Sequence, residues 1–368
     1  MIPLFKTFPR LAKRLPYVSF CTLPTPVERL ESAGAALGIN LYIKRDDCSG
    51  EQYGGNKPRR LEFLLAQAQA MGAREVVTFG YAGSNHALAT AIYAKELGLG
   101  ASLMLLEQPN ASYVRRNVGA SYLAGARLFE FPDLKRLVPR AVLLLAQLTI
   151  SSRRIPFVVT AGGSSPRGTI GYVNAALELK EQIEAGQMPE PDLVYVPFGS
   201  MGTFIGLAIG FQFAGLKTRV IGVDVVGERW GNASMAARLQ LQTNQMLRSL
   251  DGSIPTIPYG QASRIKHGFL GSGYALFTEE GLDAVDFLNE HDGIHLDGTY
   301  SGKTFAALRS DAQAGALSGQ TILFWNTYNS RPLATLPDGE YRRLPRAFHH
   351  YFESEVQPLE LARQGGGR

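Results

Sequence analysis

Four glycine-bearing turns hold the residue types from which chemistry could be built. Tyr53-Gly54-Gly55-Asn56-Lys57 sets a lysine directly behind two glycines. Glycine allows positive φ and close approach of a ligand, and an amine placed there can attack an aldehyde or act as a base. Residues 50–57 imitate the start of a phosphate loop, but Asn56 breaks the Gly-Lys pair such a loop needs. In Gly80-Tyr81-Ala82-Gly83-Ser84-Asn85-His86, Ser84 or Asn85 is a natural N-cap. The N–H groups at such a helix start suit a carboxylate. His86 has no second histidine at ligand spacing, so no metal is expected. In Gly199-Ser200-Met201-Gly202-Thr203, successive backbone N–H groups could surround a phosphate, with the Met201 side chain of little consequence. The stretch lacks G-x-G-x-x-G, so a dinucleotide is not indicated. Gly298-Thr299-Tyr300-Ser301-Gly302-Lys303-Thr304 narrowly misses a nucleotide phosphate loop, because Asp297 stands where glycine is required. Tyr300 is left there as a possible acid/base hydroxyl.

Each turn must be positioned by the elements on either side. Strand-type runs occur at 41–45, 75–79, 101–106, 127–131, 156–160, 192–197, 219–226 and 321–325. Helix-type spacing falls between them, as with Leu61, Leu64, Leu65 and Ala68, or Leu88, Ala91 and Ile92. This alternation predicts an α/β chain of open parallel sheets with helices on both faces, and ligands in the turns beyond the strands' carboxyl ends. The runs at 75–160 form one expected unit, those at 192–226 and 321–325 another.

Composition narrows the function. Of the 368 residues, 45% are hydrophobic and 19% charged, which suits a folded chain. Two cysteines, Cys21 and Cys48, exclude a disulfide scaffold and suit a cytoplasmic protein. The surplus of 37 Lys and Arg over 32 Asp and Glu is small, and no basic tract is interleaved with aromatics, so nucleic acid is not an expected partner. The most apolar run, 141–150, is too short to span a membrane. The basic start lacks the apolar core of a secretory signal. Together the turns supply a lysine, an anion cup and a carboxylate-binding helix end, the set that pyridoxal phosphate and an amino acid require.

The motifs point further. IKRDD (43–47), GGNKPRRLEF (54–63), SNH (84–86), GGSSPRGTIGYV (162–173), GSMGT (199–203), GYALFTEEGLDAV (273–285) and DGTYSGKTFAAL (297–308) occur in that order. With LPTPVERLE (23–31), the chain from about residue 8 to 333 resembles the 1-aminocyclopropane-1-carboxylate deaminase/D-cysteine desulfhydrase family of pyridoxal-phosphate enzymes. The resemblance implies a tryptophan-synthase-β-like fold (fold type II). A larger cofactor-binding domain would comprise 1–55 and 165–368, a smaller one 56–164, with the cofactor in the cleft between them. It implies that Lys57 carries the cofactor, that Gly199, Ser200, Met201, Gly202 and Thr203 grip its phosphate with Arg60 nearby, and that Thr327 stands near its pyridine nitrogen. Ser84, Asn85 and His86 would bind the substrate carboxylate, with Asn85 also a cofactor contact and Ser84 also catalytic beside Tyr274 and Tyr300. A cytoplasmic homodimer acting on a small amino acid is implied.

Five positions depart clearly from the family pattern. Tyr328 and Asn329 replace two glycines, Ser301 replaces the deaminase glutamate, Gly83 replaces a glutamine, and Pro58 replaces a threonine. In this scheme Lys57 removes the Cα proton and a group leaves from Cβ. Hydroxyls at Ser301 and Thr327 favour such β-elimination over cyclopropane ring opening. The expected activity is therefore of the D-cysteine desulfhydrase type. Alternatives are the cyclopropane deaminase, a lyase on another β-substituted (for example sulfonated) amino acid, and a cofactor-binding protein with impaired catalysis.

Overall fold

The structure is a computed structural model and describes residues 1–260 and 263–365. In chain order its strands are β1 (Val27–Arg29), β2 (Asn40–Lys44), β3 (Glu75–Tyr81), β4 (Gly100–Leu106), β5 (Arg127–Phe131), β6 (Phe157–Val159), β7 (Leu193–Phe198), β8 (Arg219–Asp224), β9 (Ser263–Lys266) and β10 (Thr321–Trp325). All eight expected strand runs are present. β1 and β9 are additions to that reading. They are edge strands of three and four residues, VER and SRIK, too short and too polar to show alternation.

Two sheets form. One has the order β1-β2-β10-β7-β8-β9 and the other β5-β4-β3-β6. Every pairing is parallel except β1 with β2. The six-stranded sheet is buried on both faces. Val194, Val196, Phe198, Leu323 and Trp325 pack one way, with Ile170, Val173, Phe204 and Leu207. Leu193, Tyr195, Ile322 and Phe324 pack the other way, with Ala284, Leu288, Phe305 and Leu308. Continuous apolar strands of this kind are what helices on both faces require. In the four-stranded sheet, Val77, Met104 and Leu106 pack with Leu137, Ala141, Leu144 and Leu148 of the helix Leu134–Ser152. That helix contains the apolar run 141–150, and among the described residues no helix is long and apolar enough to cross a membrane.

The chain divides into two compact units, Met1–Phe63 with Ser164–Ser330, and Leu64–Gly163 with the residues from Arg331 onward. The first division falls after Phe63 rather than after residue 55, so Lys57 lies in the unit of the six-stranded sheet. The C-terminal segment falls with the smaller unit, not the larger. There Gln108 N donates to the Tyr351 hydroxyl (3.1 Å), and Arg115 Nε to the Tyr351 carbonyl (2.7 Å). Hydrogen bonds from positions 108 and 115 to 351 leave no periodic mark in the sequence.

Candidate active site

Lys57 opens the helix Lys57–Ala70, and the Gly54-Gly55 turn ahead of it is fixed on several sides. Gly55 has φ +78°, and a Cβ there would lie 2.7 Å from the carbonyl oxygens of Thr327 and Tyr328, so only glycine fits. Gly55 N donates to the Asp46 carbonyl (2.7 Å). Gly54 N donates to Asn329 Oδ1 (2.5 Å), so the residue that replaces a family glycine holds the lysine turn.

Beneath this turn lies a buried ionic cluster. Asp46 accepts from Arg59 Nε and Nη2 (2.9 and 2.7 Å), Trp325 Nε1 (2.7 Å), the Tyr172 hydroxyl (2.7 Å) and the Thr25 hydroxyl (2.9 Å). Arg59 also reaches Glu178 through Nη1 (3.0 Å) and Nη2 (2.9 Å). Lys44 donates to Glu178 (2.7 Å) and to Gln182. Burial alone would raise the Glu178 pKa, but Arg59 and Lys44 hold it down to about 2. The Asp46–Arg59 pair thus ties the IKRDD motif to the segment that carries Lys57.

The Lys57 amine makes no hydrogen bond or ion pair to the described residues. Desolvation lowers its pKa well below the usual lysine value; Arg60 pushes the same way and Asp297 opposes. A neutral amine is nucleophilic and can also accept a proton.

The cup is built directly against this turn. Arg60 Nη2 donates to Thr203 Oγ1 (2.6 Å), and Nη1 to Ser200 Oγ (3.1 Å) and Ser164 Oγ (2.9 Å). Asn56 Nδ2 reaches the same Thr203 oxygen (3.1 Å). Gly202 N donates to Ser164 Oγ (3.2 Å) and begins the helix Gly202–Ala214. A Cβ on Gly202 would stand 2.9 Å from Ser164 Oγ and 3.1 Å from Arg60 Cζ, so any side chain there would fill the cup. Met201 takes φ +67° at the cap, and its side chain is buried in the core rather than idle, which corrects the sequence reading. Burial lowers the Arg60 pKa to about 10. An anion would offset that desolvation, and Ser200 and Thr203, which accept from Arg60, keep their own hydroxyl protons to give it. Ser164 and Asn56 were not identified from sequence. Ser164 stands within GGSSPRGTIGYV and Asn56 breaks the Gly-Lys pair, and neither carries a sequence mark of this role. These residues fit an aldehyde phosphate such as pyridoxal phosphate: a lysine whose charged form is disfavoured, beside an electropositive cup.

Tyr274 and Tyr300 are brought together, hydroxyl to hydroxyl at 2.5 Å. The Tyr300 ring lies about 4.0 Å from where a Cβ on Gly199 would be, which places it beside the cup. Asp297 organises this corner. Oδ1 accepts from Thr299 N (2.9 Å) and Tyr300 N (2.6 Å), and Oδ2 from Ser301 N (3.2 Å) and Ser301 Oγ (2.6 Å). The residue that excludes a nucleotide loop therefore fixes the start of the helix Ser301–Gln313. Ser301 is fully buried with its hydroxyl committed to Asp297. The Thr327 carbonyl accepts from Asn56 N (3.3 Å), while its hydroxyl makes no bond to the described residues.

Ser84, Asn85 and His86 lie in the other unit. Ser84 caps the helix Asn85–Glu96, its Oγ accepting from Ala87 N (3.2 Å). Asn85 Oδ1 accepts from Asn117 (2.8 Å). His86 points inward. It is buried, with Nε2 3.2 Å from Thr78 Oγ1. Thr78 gives its proton to the Val159 carbonyl (3.0 Å), so Nε2 is the donor. The His86 side chain is thus part of this unit's interior, and only its backbone belongs to the helix end. Gln108 Oε1 accepts from Gly83 N (2.8 Å), and Gln108 Nε2 would lie 3.2 Å from a Cβ on Gly83. An amide side chain from position 108 therefore stands beside the position where the family has its glutamine.

Comparison with known proteins agrees with this chemistry. The family model described as "Pyridoxal-phosphate dependent enzyme" matches residues 18–327. A D-cysteine desulfhydrase of Salmonella typhimurium is 33% identical over 80% of this chain and 88% of its own. A nocardicin C-9' epimerase of Nocardia uniformis is 33% identical over 86% of this chain and 94% of its own. A crystal structure described as an ACC deaminase homologue (ACC being 1-aminocyclopropane-1-carboxylate) superposes with a TM-score of 0.75. It shares 32% identity and covers 88% of this chain and 94% of its own.

Proposed function

The chain belongs to the pyridoxal-phosphate-dependent enzymes, in the family of 1-aminocyclopropane-1-carboxylate deaminase and D-cysteine desulfhydrase, and we propose that it is a β-eliminating lyase that converts D-cysteine to pyruvate, sulfide and ammonia. Sequence identity does not choose among the relatives' activities. What favours elimination is the pair of positions 301 and 327. Ser301 is spent on Asp297, and Thr327 offers a hydroxyl with no protein partner among the described residues. A hydroxyl lacks the negative charge that raises the pKa of a neighbouring ring nitrogen.

Bound pyridoxal phosphate supplies the electron sink for charge developing at the substrate's Cα. A hydroxyl at Thr327 in place of a carboxylate would suit loss of a good leaving group from Cβ, which makes a smaller demand on that sink than ring opening does. Arg60, Ser200 and Thr203 would hold the phosphate. Lys57, its charged form disfavoured by desolvation and by Arg60, would take the Cα proton. Tyr274 and Tyr300, in contact, relay a proton to the departing group. The helix start at Ser84 and Asn85 takes the substrate carboxylate.

The test is kcat/KM for sulfide release from D-cysteine against 2-oxobutyrate formation from the cyclopropane acid. D-cysteine should be preferred. Preference for the cyclopropane acid would overturn the argument from positions 301 and 327. Installing a glutamate at 301 is not a clean test, because that position is fully buried against the Asp297 carboxylate.

A further inference from the structure

We propose that Lys303 is a positioning residue for Tyr274, closing the neck of the loop that carries it. The inference rests on the reading of Tyr274 as a reaction residue. Lys303 is fully buried in the first turn of the helix that begins just after Tyr300. Its amine donates to the Leu270 carbonyl (2.7 Å), at the start of the loop. Its Cγ would lie 3.3 Å from a Cβ on Gly281, just past the loop's end. One side chain therefore touches both sides of the neck. The rest of the neck is equally close. A Cβ on Gly271 would lie 2.4 Å from Thr278 Cγ2, and Gly281 N donates to Thr278 Oγ1 (3.1 Å). Residues 270–278 thus make a compact loop whose ends meet at the helix Glu279–Asp292, with Tyr274 near its middle.

The loop needs holding. Ala275, next to Tyr274, is buried with φ +63°, a conformation that costs a residue with a side chain and persists only where its surroundings impose it. Desolvation lowers the Lys303 pKa to about 8, with Asp297 and Asp224 opposing. A buried amine is a costly way to fill space, and a methionine would pack the same stem. The donor to Leu270 is what the lysine adds. The same helix start therefore fixes both tyrosines. Asp297 holds Tyr300 through its N–H, and Lys303 holds the Tyr274 loop.

The holoenzyme carrying Lys303→Met, which keeps the stem and loses the donor, tests this by two readouts. Backbone hydrogen exchange in peptides covering 268–277 should quicken by about tenfold or more, while 199–203 stays as in the wild type. The fall in kcat, about 10²-fold for a misplaced group, should vanish in a Tyr274→Phe background, because a residue acting through Tyr274 has nothing left to position. Unchanged loop exchange, or losses that multiply in the double variant, would overturn the proposal. If Tyr274→Phe alone leaves kcat unchanged, the reaction reading of Tyr274 fails, and the exchange data still decide the role of Lys303. Should Lys303→Met not fold, Lys303→Gln is read by the same two measurements.

Discussion

Two adjacent arginines show how one helix start serves two purposes. Arg59 faces carboxylates and Arg60 faces hydroxyls. Burial alone would lower the Arg59 pKa, but Asp46 and Glu178 hold it well above the usual arginine value. Burial lowers the Arg60 pKa to about 10, and its neighbours Ser164, Ser200 and Thr203 bring no negative charge. A cation neutralised inside the protein holds the chain together. Arg60, set among hydroxyls and over the Tyr172 ring, is placed so that an arriving anion would offset its desolvation. Lys57, two residues before Arg59, lies on the same functional side: desolvated, without a hydrogen bond or ion pair to the described residues, and poised to react.

This contrast predicts opposite outcomes for neighbouring substitutions. Lys57→Ala should lower kcat by about 10⁴-fold or more, since both covalent attachment and the base are lost, with little change in melting temperature. Borohydride treatment of the wild type should fix the cofactor on Lys57; a labelled peptide from another lysine would refute the assignment. Asp46→Ala should do the reverse. It leaves Arg59 buried with one carboxylate fewer, a change that costs about 3–5 kcal/mol. Denaturant unfolding should show that loss even in protein stripped of cofactor. If Asp46→Ala instead unfolds like the wild type and loses only turnover, the division between structural and functional charge is wrong.

Arg60→Met should weaken cofactor binding by about 10- to 100-fold, the worth of charge-assisted bonds to a phosphate. The stability of the stripped protein should be unchanged or raised, because a desolvated cation has been removed. Titration of stripped enzyme with pyridoxal phosphate reads the first effect and urea unfolding the second. A large loss of stability would mean that Arg60 belongs with Arg59.

The contrast was half visible in the sequence. Lys57, the Gly199–Thr203 turn and Tyr300 were legible because glycines and reactive side chains mark turns, whereas Tyr274 came only with the family resemblance. The eight expected strands were legible because apolar residues run through them, as buried parallel strands require. Ser164 and Asp297 were not, since a serine in a turn and an aspartate before a helix look the same whether they serve a ligand or a cap. His86, given the substrate carboxylate only by the family resemblance, has its ring claimed by Thr78, eight residues earlier in the chain. The division between Arg59 and Arg60 was hidden too, because it depends on Asp46 and Glu178, which are distant from each other in the chain.

Glu62 sharpens the comparison by reversing the sign of the charge. It lies on the same helix, buried, and Oε1 accepts from Phe20 N (3.0 Å), Cys21 N (2.9 Å) and the Tyr17 hydroxyl (3.2 Å). Burial raises its pKa to about 7, and the two backbone donors and Arg59 only moderate the rise. A pKa raised on folding means that the folded state favours the protonated acid. The contribution to stability is therefore complete below the unfolded value near 4.5 and is lost as pH rises through about 7. At about 1.4 kcal/mol per pH unit, ionisation could remove at most about 3 kcal/mol by pH 8. Glu62→Gln keeps an acceptor for Phe20, Cys21 and Tyr17 and cannot ionise. The variant should match the wild type at pH 5 and exceed it at pH 8, the gap opening between those values. Urea unfolding of both proteins across that range gives the difference directly, with every other titrating group common to the pair. Parallel stability curves would show that Glu62 stays charged when buried, and that burial without an adjacent cation does not by itself neutralise an acid on this helix.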